Sequence, residues 1–418
     1  MRRRTRCQWR APRRPCSAHF FVALTIILCL TTVACVNSDA SESRSTSAAP
    51  THSENGYVDH DGRTPATAAV SADTVENTPP KTTKISFTGD ILPHSPLWNQ
   101  AAINASGSGY DFAPMFADIG GVIAESSLAI CHLETPIAPP GEELTTYPLY
   151  GVPREIAEGI ASAGYDRCST ASNHSFDRGV AGIDTTVAAL EANGVAQSGM
   201  ARTLEESVPT VFDVDGTGVA HLSYTYGYNG LNVSSDQRWR SPLIDVDQIL
   251  SESTKAKQSG AEIVILSLHW GTEYLQTPNS EQRQLAESIA GSGVVDLIIG
   301  HHAHVIQPIE EINGVWVVFG LGNSLSNMRE SQWYPAESQD GMIVEFELIK
   351  TAEAPGSPPS VSVGDPIVRP TWVDRDRGWV IRDVLTELAR VDLSPPYRNA
   401  LNASLERTTS LLGKYIAS

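Results

Sequence analysis

The chain has 418 residues, 41% of them hydrophobic and 19% charged, which is enough for one large domain or two average ones with a sizeable core. Its formal net charge at pH 7 is −18, and seven of its 30 basic residues are arginines within the first 34 positions. The rest of the chain is therefore strongly acidic, which argues against binding to nucleic acids or to anionic lipid surfaces. An anionic substrate would have to meet a bound metal ion or a local basic patch.

The first 34 residues have the pattern of a secretory signal peptide. The arginines, which no acidic residue accompanies, precede an apolar run from Phe20 to Leu30, and small residues follow that run. The run is shorter than the ~20 residues of a membrane-spanning helix. We therefore expect residues 1–34 to be removed and the protein to work outside the cytoplasm.

The segment Val33-Ala34-Cys35 resembles the lipobox of bacterial lipoproteins, although Thr32 stands where leucine is usual. The resemblance implies that Cys35 becomes the lipidated first residue of the mature chain and anchors it to the membrane. Plain secretion and an uncleaved anchor are the alternatives. Residues 35–83 are rich in Ser, Thr, Ala, Asp and Pro and have no hydrophobic period, which predicts a disordered tether between membrane and domain.

Only three of the six cysteines, Cys35, Cys131 and Cys168, would remain after cleavage before Cys35. This number is too small for a disulfide framework. Cys131 and Cys168 both lie on predicted strands, and we expect them to be buried free thiols. A single bridge between them is the alternative.

Predicted strands and helices alternate through residues 84–348, the expected main domain. Strands are predicted at residues 84–90, 127–134, 166–170, 262–271, 297–300, 315–320 and 342–348. Helices are predicted at residues 113–127, 153–164, 180–194, 245–259 and 278–291. A hairpin is predicted at residues 209–226, with its turn at Asp215-Gly216. The alternation predicts an α/β fold with a largely parallel sheet.

Residues 349–418 are expected to form a C-terminal extension that packs on the main domain. The hydrophobic pattern is weaker here, and residues 351–366 are rich in Pro, Gly and Ser. We expect strands near residues 361–368 and helices near residues 381–391 and 396–416.

Residues of the types that bind metal ions stand where several of these strands end. They are Asp90, Glu134, Asn173-His174, His269 and the trio His301, His302 and His304. Because the ends of parallel strands meet at one edge of a sheet, we expect these side chains to share one site. Carboxylate, imidazole and amide ligands together suit Mn, Fe or Zn, and the set is large enough for one or two divalent ions.

Each residue of this set has an expected role. The expected metal ligands are Asp90, Glu134, Asn173, His269, His302 and His304, and the candidates for additional ligands are His301, His132 and His94. His174 is the candidate general acid for a leaving group, because it follows a ligand directly. Asp177 lies three residues later and either orients His174 or caps the helix that follows.

Six segments of the chain, in the same order, resemble bacterial capsule synthesis proteins of the CapA type. These proteins are linked to poly-γ-glutamate synthesis, and their domain is similar to the calcineurin-like metallophosphatases. The segments are Phe87–Asp90, Leu133–Pro136, Ser172–Gly179, His269–Tyr274, Gly300–Gln307 and Gly320–Asn323. This sequence departs from the family at His132, Ala303 and Ser324, which stand where Asn, Pro and Phe are usual. It also lacks the close Asp-x-His pair of the wider metallophosphatases, because His94 is four residues from Asp90.

The resemblance implies a metallophosphatase-like two-sheet α/β sandwich flanked by helices, with mixed and largely parallel strands. It also implies a role in making, exporting or anchoring poly-γ-glutamate, with an anionic envelope polymer or a phosphoester as substrate and membrane synthase subunits as partners. One hypothesis is a surface-anchored, metal-dependent hydrolase of the phosphoesterase type. The alternative is a non-catalytic subunit that holds the polymer or the synthase. A secreted nucleotidase is a third hypothesis, with Trp270 or Trp98 as the base-stacking residue.

Overall fold

The structure, a computed structural model, describes residues 81–351 and 360–417. The expected signal peptide, Cys35 and the tether up to residue 80 lie outside these residues. The strands are β1 (Lys81–Leu92), β2 (Leu128–Leu133), β3 (Arg167–Ser169), β4 (Ala196–Ser198), β5 (Val211–Val214), β6 (Thr217–Thr225), β7 (Ile263–His269), β8 (Leu297–His301), β9 (Ile309–Ile312), β10 (Val315–Val318), β11 (Asn323–Ser326), β12 (Asp340–Thr351), β13 (Ser360–Val363), β14 (Ile367–Asp374) and β15 (Val380–Asp383). The α-helices are α1 (Ser95–Asn104), α2 (Ala113–Phe116), α3 (Gly120–Ile123), α4 (Ile156–Ser162), α5 (Gly179–Ala192), α6 (Val246–Gln258), α7 (Ser280–Ala290), α8 (Val384–Leu388) and α9 (Pro395–Leu412).

The strands form two sheets. The larger has the order β15-β14-β12-β1-β2-β3-β4, with β11 also beside β1 and β13 also beside β12, and the smaller has the order β5-β6-β7-β8-β10-β9. Strands β1 to β4 are parallel to one another, and so are β6, β7, β8 and β10. Strand β11 lies parallel to the end of β1, whereas β12, β14 and β15, and the edge strands β5 and β9 of the smaller sheet, pair antiparallel with their neighbours. The structure therefore confirms the predicted mixed two-sheet α/β fold.

The main core lies between the two sheets. Ile85 and Phe87 of β1 belong to the same buried cluster as Ile263 and Ile265 of β7 and Ile299 of β8. Every residue of β7 is buried, as expected for a strand whose two faces are both covered.

Helices cover the outer faces of both sheets. Phe116 of α2 and Ile160 of α4 pack over the larger sheet, whereas Ile249 of α6 and Ile289 of α7 pack over the smaller one. Helix α7 begins with a capping box, in which Asn279 and Gln282 each accept a hydrogen bond from the other's backbone N–H. These local signals explain why the helices predicted around residues 245–259 and 278–291 are confirmed.

The C-terminal residues add to the larger sheet rather than only covering it. Strand β14 pairs antiparallel with β12, and β15 pairs with β14. Helix α9 is tied to β12 by Arg407, whose Nη2 lies 2.8 Å from Oδ1 of the buried Asp340. No helix in the two described ranges is both long enough and apolar enough to cross a membrane.

Three expectations about secondary structure were wrong in detail. The helix expected at residues 113–127 is two single turns, α2 and α3, because the Gly120-Gly121 pair disfavours a continuous helix. The helix expected at residues 381–391 starts as strand β15, because Ile381 pairs with Val373 in the sheet. Strand β1 begins at Lys81, three residues before the expected start, since Thr83 pairs with Leu348.

Cys131 and Cys168 form a disulfide in the structure, so the expectation of two free thiols was wrong. They are register partners on the neighbouring parallel strands β2 and β3, with Cα atoms 4.4 Å apart. Spacing along the sequence does not reveal strand register, which is why the pairing could not be derived from it.

Candidate metal centre

The strands that carry the predicted site residues end at one edge of the sandwich. In the larger sheet Asp90 of β1 is the register partner of His132 of β2, and Glu134 follows directly after β2. In the smaller sheet His269 at the end of β7 is the register partner of His301 at the end of β8. The parallel pairing thus places the two carboxylates of one sheet opposite the imidazoles of the other.

Asp90 is surrounded by the histidine loop that follows β8. Its Oδ1 lies 3.3 Å from Nδ1 of His301, and its Oδ2 lies 3.1 Å from Nδ1 of His304. The backbone N–H of His302 donates to the same Oδ2 at 3.2 Å. One ligand atom from each of Asp90, His132 and His301 lies within 4.8 Å of the others.

Glu134 is the centre of a second, adjoining group. Its Oε1 lies 3.8 Å from Nε2 of His304 and 3.8 Å from Nε2 of His269. One ligand atom each from Glu134, His302 and His304 lies within 4.8 Å of the others. The two groups therefore adjoin, since His304 reaches both carboxylates.

Several buried polar atoms of the two groups have no hydrogen-bond partner among the described residues. They are Oδ1 of Asp90, both carboxylate oxygens of Glu134, and the Nδ1 atoms of His301 and His302. Buried carboxylate oxygens without donors are costly unless a cation compensates their charge. Oxygens and imidazole nitrogens in this arrangement match the donor set of a divalent transition metal, so the residues fit such an ion.

Burial determines the charge of these groups. It lowers the pKa of His302 to about 3 and holds the pKa of His269 well below its ordinary value, so both imidazoles are neutral, as metal ligands must be. Burial also opposes ionisation of Asp90, but the nearby imidazoles of His301 and His304 outweigh it and hold the pKa of Asp90 well below its ordinary value. Burial raises the pKa of Glu134 well above its ordinary value, which leaves a carboxyl group that needs a cation to ionise.

Asn173 joins the site through its side-chain oxygen. Nε2 of His269 lies 3.0 Å from Oδ1 of Asn173, and the other ring nitrogen of His269 lies 3.0 Å from Nε2 of His132. Nδ1 of His132 is in turn 2.8 Å from the hydroxyl of Ser169. Both ring nitrogens of His132 are therefore engaged by protein atoms.

The histidine loop owes its shape to tight backbone contacts. His302 and His304 both have positive φ angles, 86° and 56°. Residues other than glycine seldom adopt this backbone conformation. Gly300 lies so close to β10 that a Cβ atom there would be 1.9 Å from the carbonyl oxygen of Phe319. Asn323 holds the loop through two contacts with His304. Oδ1 of Asn323 lies 3.0 Å from Nδ1 of His304, and Nδ2 of Asn323 donates to the His304 carbonyl.

His174 and Asp177 form a buried pair next to Asn173. Nδ1 of His174 lies 2.7 Å from Oδ2 of Asp177, and the same oxygen accepts the backbone N–H of Tyr150 at 2.7 Å. Helix α5 has Arg178 at its N-cap and no side-chain cap. Of the two roles open to Asp177, the structure therefore shows contact with His174 and no helix cap.

His94 lies apart from the two ligand groups. Its Nδ1 is 2.9 Å from the carbonyl oxygen of Leu92, and its Nε2 is 2.9 Å from the hydroxyl of Tyr150. Burial lowers the pKa of His94 to about 4, so the ring is neutral. His94 thus contacts the ring that packs on His174 rather than the carboxylates.

Several residues around the centre carried no predicted role. The ring of Tyr226 lies 4.6 Å from that of His302 between centroids, and Asn229 contacts both Asn173 and His174. Tyr150, Tyr226 and Asn229 lie in loops without metal-binding side chains, so no sequence signal distinguished them. Asn323 belongs to one of the six segments, but only the structure shows its contact with His304.

Residues 84–328, more than half of the chain, match the family model of the bacterial capsule synthesis protein PGA_cap. The chain belongs to the PGA_cap family. The resemblance of the six segments is confirmed, since all of them lie within the matched residues. The family match covers every strand that carries a residue of the candidate metal centre.

Curated relatives of this PGA_cap chain include the PGA biosynthesis protein CapA of Bacillus subtilis (strain 168), which is 28% identical over 199 residues, or 47% of this chain and 50% of the relative. The capsule biosynthesis protein CapA of Bacillus anthracis is 26% identical over 198 residues, or 46% and 47%. The chain spans about half the length of the curated relatives it matches. Among solved structures, the calcineurin-like phosphoesterase YfkN from Bacillus subtilis is similar at 16% identity with a TM-score of 0.43, over 79% of this chain and 98% of that one.

Proposed function

We propose that this protein is a metal-dependent hydrolase of the phosphoesterase type that acts in the metabolism of poly-γ-glutamate or another envelope polymer. One observation carries the proposal: two buried carboxyl groups and several imidazoles, from strands far apart in the sequence, meet, and some of their ligand atoms lack protein partners. Structural packing alone does not explain this arrangement, because each unpartnered buried oxygen costs stability.

The residues that hold the metal are, in this proposal, Asp90, Glu134, Asn173, His269, His302 and His304. His301 joins them as a further ligand, since its ring nitrogen lacks a hydrogen-bond partner and lies beside Asp90. His132 serves instead to orient His269, to which it is hydrogen-bonded. His94, which lies outside both groups, is not a ligand. Bound Mn, Fe or Zn would polarise a phosphoryl oxygen and lower the pKa of a water molecule.

His174 is the proposed proton donor to the leaving group. Its Nδ1 is held by the carboxylate of Asp177, so its Nε2 is the nitrogen free to exchange a proton with a substrate. Nε2 of His174 lies 3.5 Å from Nδ2 of Asn229. Oδ1 of Asn229 accepts a hydrogen bond from the proposed ligand Asn173. The edge of the Tyr150 ring packs on the imidazole at 4.7 Å between centroids and restricts its rotation. These contacts support a histidine that is oriented before substrate binds.

A non-catalytic role is the second candidate function. It is favoured by the position of His94, which does not reach Asp90. The first of the six segments, Phe87–Asp90, therefore has no second ligand close by. It is also compatible with the names of the curated relatives, which refer to biosynthesis and not to hydrolysis. In this case the metal centre would hold an anionic polymer or shape a surface for synthase subunits.

We further propose that the protein works outside the cytoplasm, anchored to the membrane through lipidated Cys35. The disulfide between Cys131 and Cys168 supports an oxidising compartment, since such bonds are rare in the cytoplasm. Metabolic labelling with a fatty acid tests the anchor. Label on the wild-type chain and none on the Cys35→Ser variant is expected, and equal label on both would contradict the proposal.

The proposed activity is tested by assaying the purified chain, loaded in turn with Mn, Fe or Zn, on a panel of phosphomonoesters and phosphodiesters. The expected result is turnover that chelation abolishes and that His174→Ala reduces while bound metal is retained. A metal-loaded, folded wild-type protein without turnover on any member of the panel would favour the non-catalytic role. Turnover that is unchanged in His174→Ala would contradict the role of that histidine.

A further inference from the structure

A crevice lies between the two sheets, away from the ligand groups of the metal centre. It has a volume of about 80 Å³, enough for several water molecules or one small ion. Its walls include Arg167 of β3, Gln197 and Ser198 of β4, and His221 and Ser223 of β6. These residues come from the edge of the larger sheet and from the smaller sheet that faces it. The crevice is therefore a polar gap in an otherwise apolar interface.

Arg167 brings a positive charge into this crevice without a matching negative charge. Its Nη2 donates to the carbonyl oxygen of Gln197 and to the hydroxyl of Ser198, both at 3.0 Å, and its guanidinium lies over the ring of Phe212. Among residues 81–351 and 360–417, no carboxylate lies within 4.0 Å of it, whereas arginines such as Arg202 and Arg407 have such partners. Its Nε is buried and has no hydrogen-bond partner in those residues. The guanidinium is partly buried, with its Nε fully buried and no counter-charge beside it, so a ligand that supplies the charge would be favoured.

His221 contributes a second unused polar atom to the same walls. Its Nε2 lies 3.0 Å from the hydroxyl of Ser267, and its Nδ1 is buried without a partner in the described parts of the chain. Burial holds the pKa of His221 well below its ordinary value, so the ring is neutral. An anion beside Nδ1 would favour the tautomer in which the Ser267 hydroxyl donates to Nε2 and the proton sits on Nδ1, which is then a hydrogen-bond donor.

The two acidic residues in the walls do not neutralise Arg167. Glu206 is bound by Arg202, with an N–O distance of 2.6 Å. Glu252 accepts hydrogen bonds from the Tyr224 hydroxyl and from the side chain of Gln248. Among the described residues, Arg167 and His221 therefore each keep a buried nitrogen without a partner at the crevice.

We propose that this crevice binds a small inorganic anion, a halide or an oxyanion, between the guanidinium of Arg167 and the Nδ1–H of His221. The anion supplies the counter-charge that Arg167 lacks and joins strands of the two sheets. This site is independent of the proposed hydrolase function, because none of its residues belongs to the ligand groups of the metal centre. Its occupant also stabilises the sandwich, since it binds the folded chain and not the unfolded one.

Anomalous diffraction from crystals of the chain soaked in bromide tests the site directly. The expected result is a bromide peak within hydrogen-bonding distance of Arg167 and His221. Separate crystals grown with chloride or with phosphate as the sole added anion distinguish a halide site from an oxyanion site. Density for water alone in all three crystals would overturn the proposal.

Thermal unfolding provides a second measurement that does not depend on crystals. At constant ionic strength, raising the preferred anion to about ten times its dissociation constant is expected to raise Tm by about 3 °C. The Arg167→Met variant is expected to lose this response, and Arg167→Lys, which keeps the charge and the fold but not the planar fork, to weaken it. Arg283→Met is the matched control, because Arg283 is paired with Glu310 and does not line the crevice, and it should respond like the wild type. An equal response in wild type and Arg167→Lys and Arg167→Met would show that the anion acts elsewhere and would overturn the assignment.

Discussion

Nδ1 of His174 lies 2.7 Å from Oδ2 of Asp177, and both side chains are buried beside the candidate metal ligand Asn173. The two residues are three positions apart in the turn that precedes α5, and this turn brings their side chains together. The carboxylate fixes which imidazole nitrogen is available to a substrate. A catalytic histidine that is oriented in this way should depend on its carboxylate partner.

Replacing His174 with alanine should lower kcat of the metal-loaded protein about 10² to 10⁴-fold, the usual contribution of a general acid. Asp177→Asn should lower it less, about tenfold to 100-fold, because the amide still occupies the same space beside the ring. Both variants should keep their bound metal. The measurement is steady-state hydrolysis of the best substrate of the panel, with metal content determined on the same samples.

Asp184→Asn is the matched control for Asp177→Asn. Asp184 also lies in α5, but it is half exposed, and its carboxylate is paired with Arg240 at 3.3 Å. It should leave kcat unchanged. A decrease of similar size in the two variants would show that the effect of Asp177→Asn is not specific to the contact with His174.

Much of this site was predictable because its residues stand at the ends of strands. Asp90, Glu134 and His269 each follow an apolar run, and parallel strands bring their ends to one edge. The prediction of a shared site needed only the order of the strands and not their register. It therefore survived errors of several residues in the predicted boundaries.

Other features depend on contacts between distant segments and could not be predicted. The bond between Cys131 and Cys168 requires the register of β2 and β3, and Tyr226 approaches His302 through a loop without periodicity. The hydrophobic pattern of the segment that forms β15 predicted a helix. The segment is a strand instead, because it pairs with the edge strand β14. Tertiary context overrides local preference in such cases.

Gly300 should tolerate no side chain, because its Cα lies against the backbone of the neighbouring strand. A Cβ would be 1.9 Å from the carbonyl oxygen of Phe319 and 2.5 Å from Nε1 of Trp270. Gly300→Ala should therefore lower the free energy of unfolding by about 3 kcal/mol and displace the histidine loop. Denaturant unfolding measures the change. Gly121→Ala, where the added Cβ meets no atom within 4 Å, is the control and should be close to neutral.

The ion pair of Arg407 and Asp340 should contribute more to the free energy of unfolding than an exposed ion pair does. Asp340 is 2% exposed, so Arg407→Met would leave its carboxylate buried without a counter-charge, at a cost of about 3 kcal/mol. Arg390→Met, at an exposed arginine, should change the unfolding free energy much less, because solvent screens its ion pairs. Equal effects in the two variants, measured by denaturant unfolding, would show that α9 is not held to β12 by this pair.

Removing the metal should destabilise the wild-type protein, because the ion binds only the folded chain and because buried oxygens of Asp90 and Glu134 would then lack a partner. At a metal concentration 100 times the dissociation constant, binding contributes about 2.7 kcal/mol, so a chelator should lower Tm by several degrees. Glu134→Gln should remove most of this response, since a neutral amide binds a cation more weakly than a carboxylate does. A chelator that leaves the wild-type Tm unchanged would contradict this prediction.

The decisive measurement is the metal content of the purified chain after loading with Mn, Fe or Zn and removal of free ions. We expect one or two equivalents of one of these metals in the wild type and in Asp184→Asn. We expect a large loss of bound metal in His269→Ala and in Glu134→Gln. His269 ends a strand of the smaller sheet, and Glu134 follows a strand of the larger sheet. A folded wild-type protein that retains none of the three metals would show that these buried carboxylates and imidazoles do not form a metal centre.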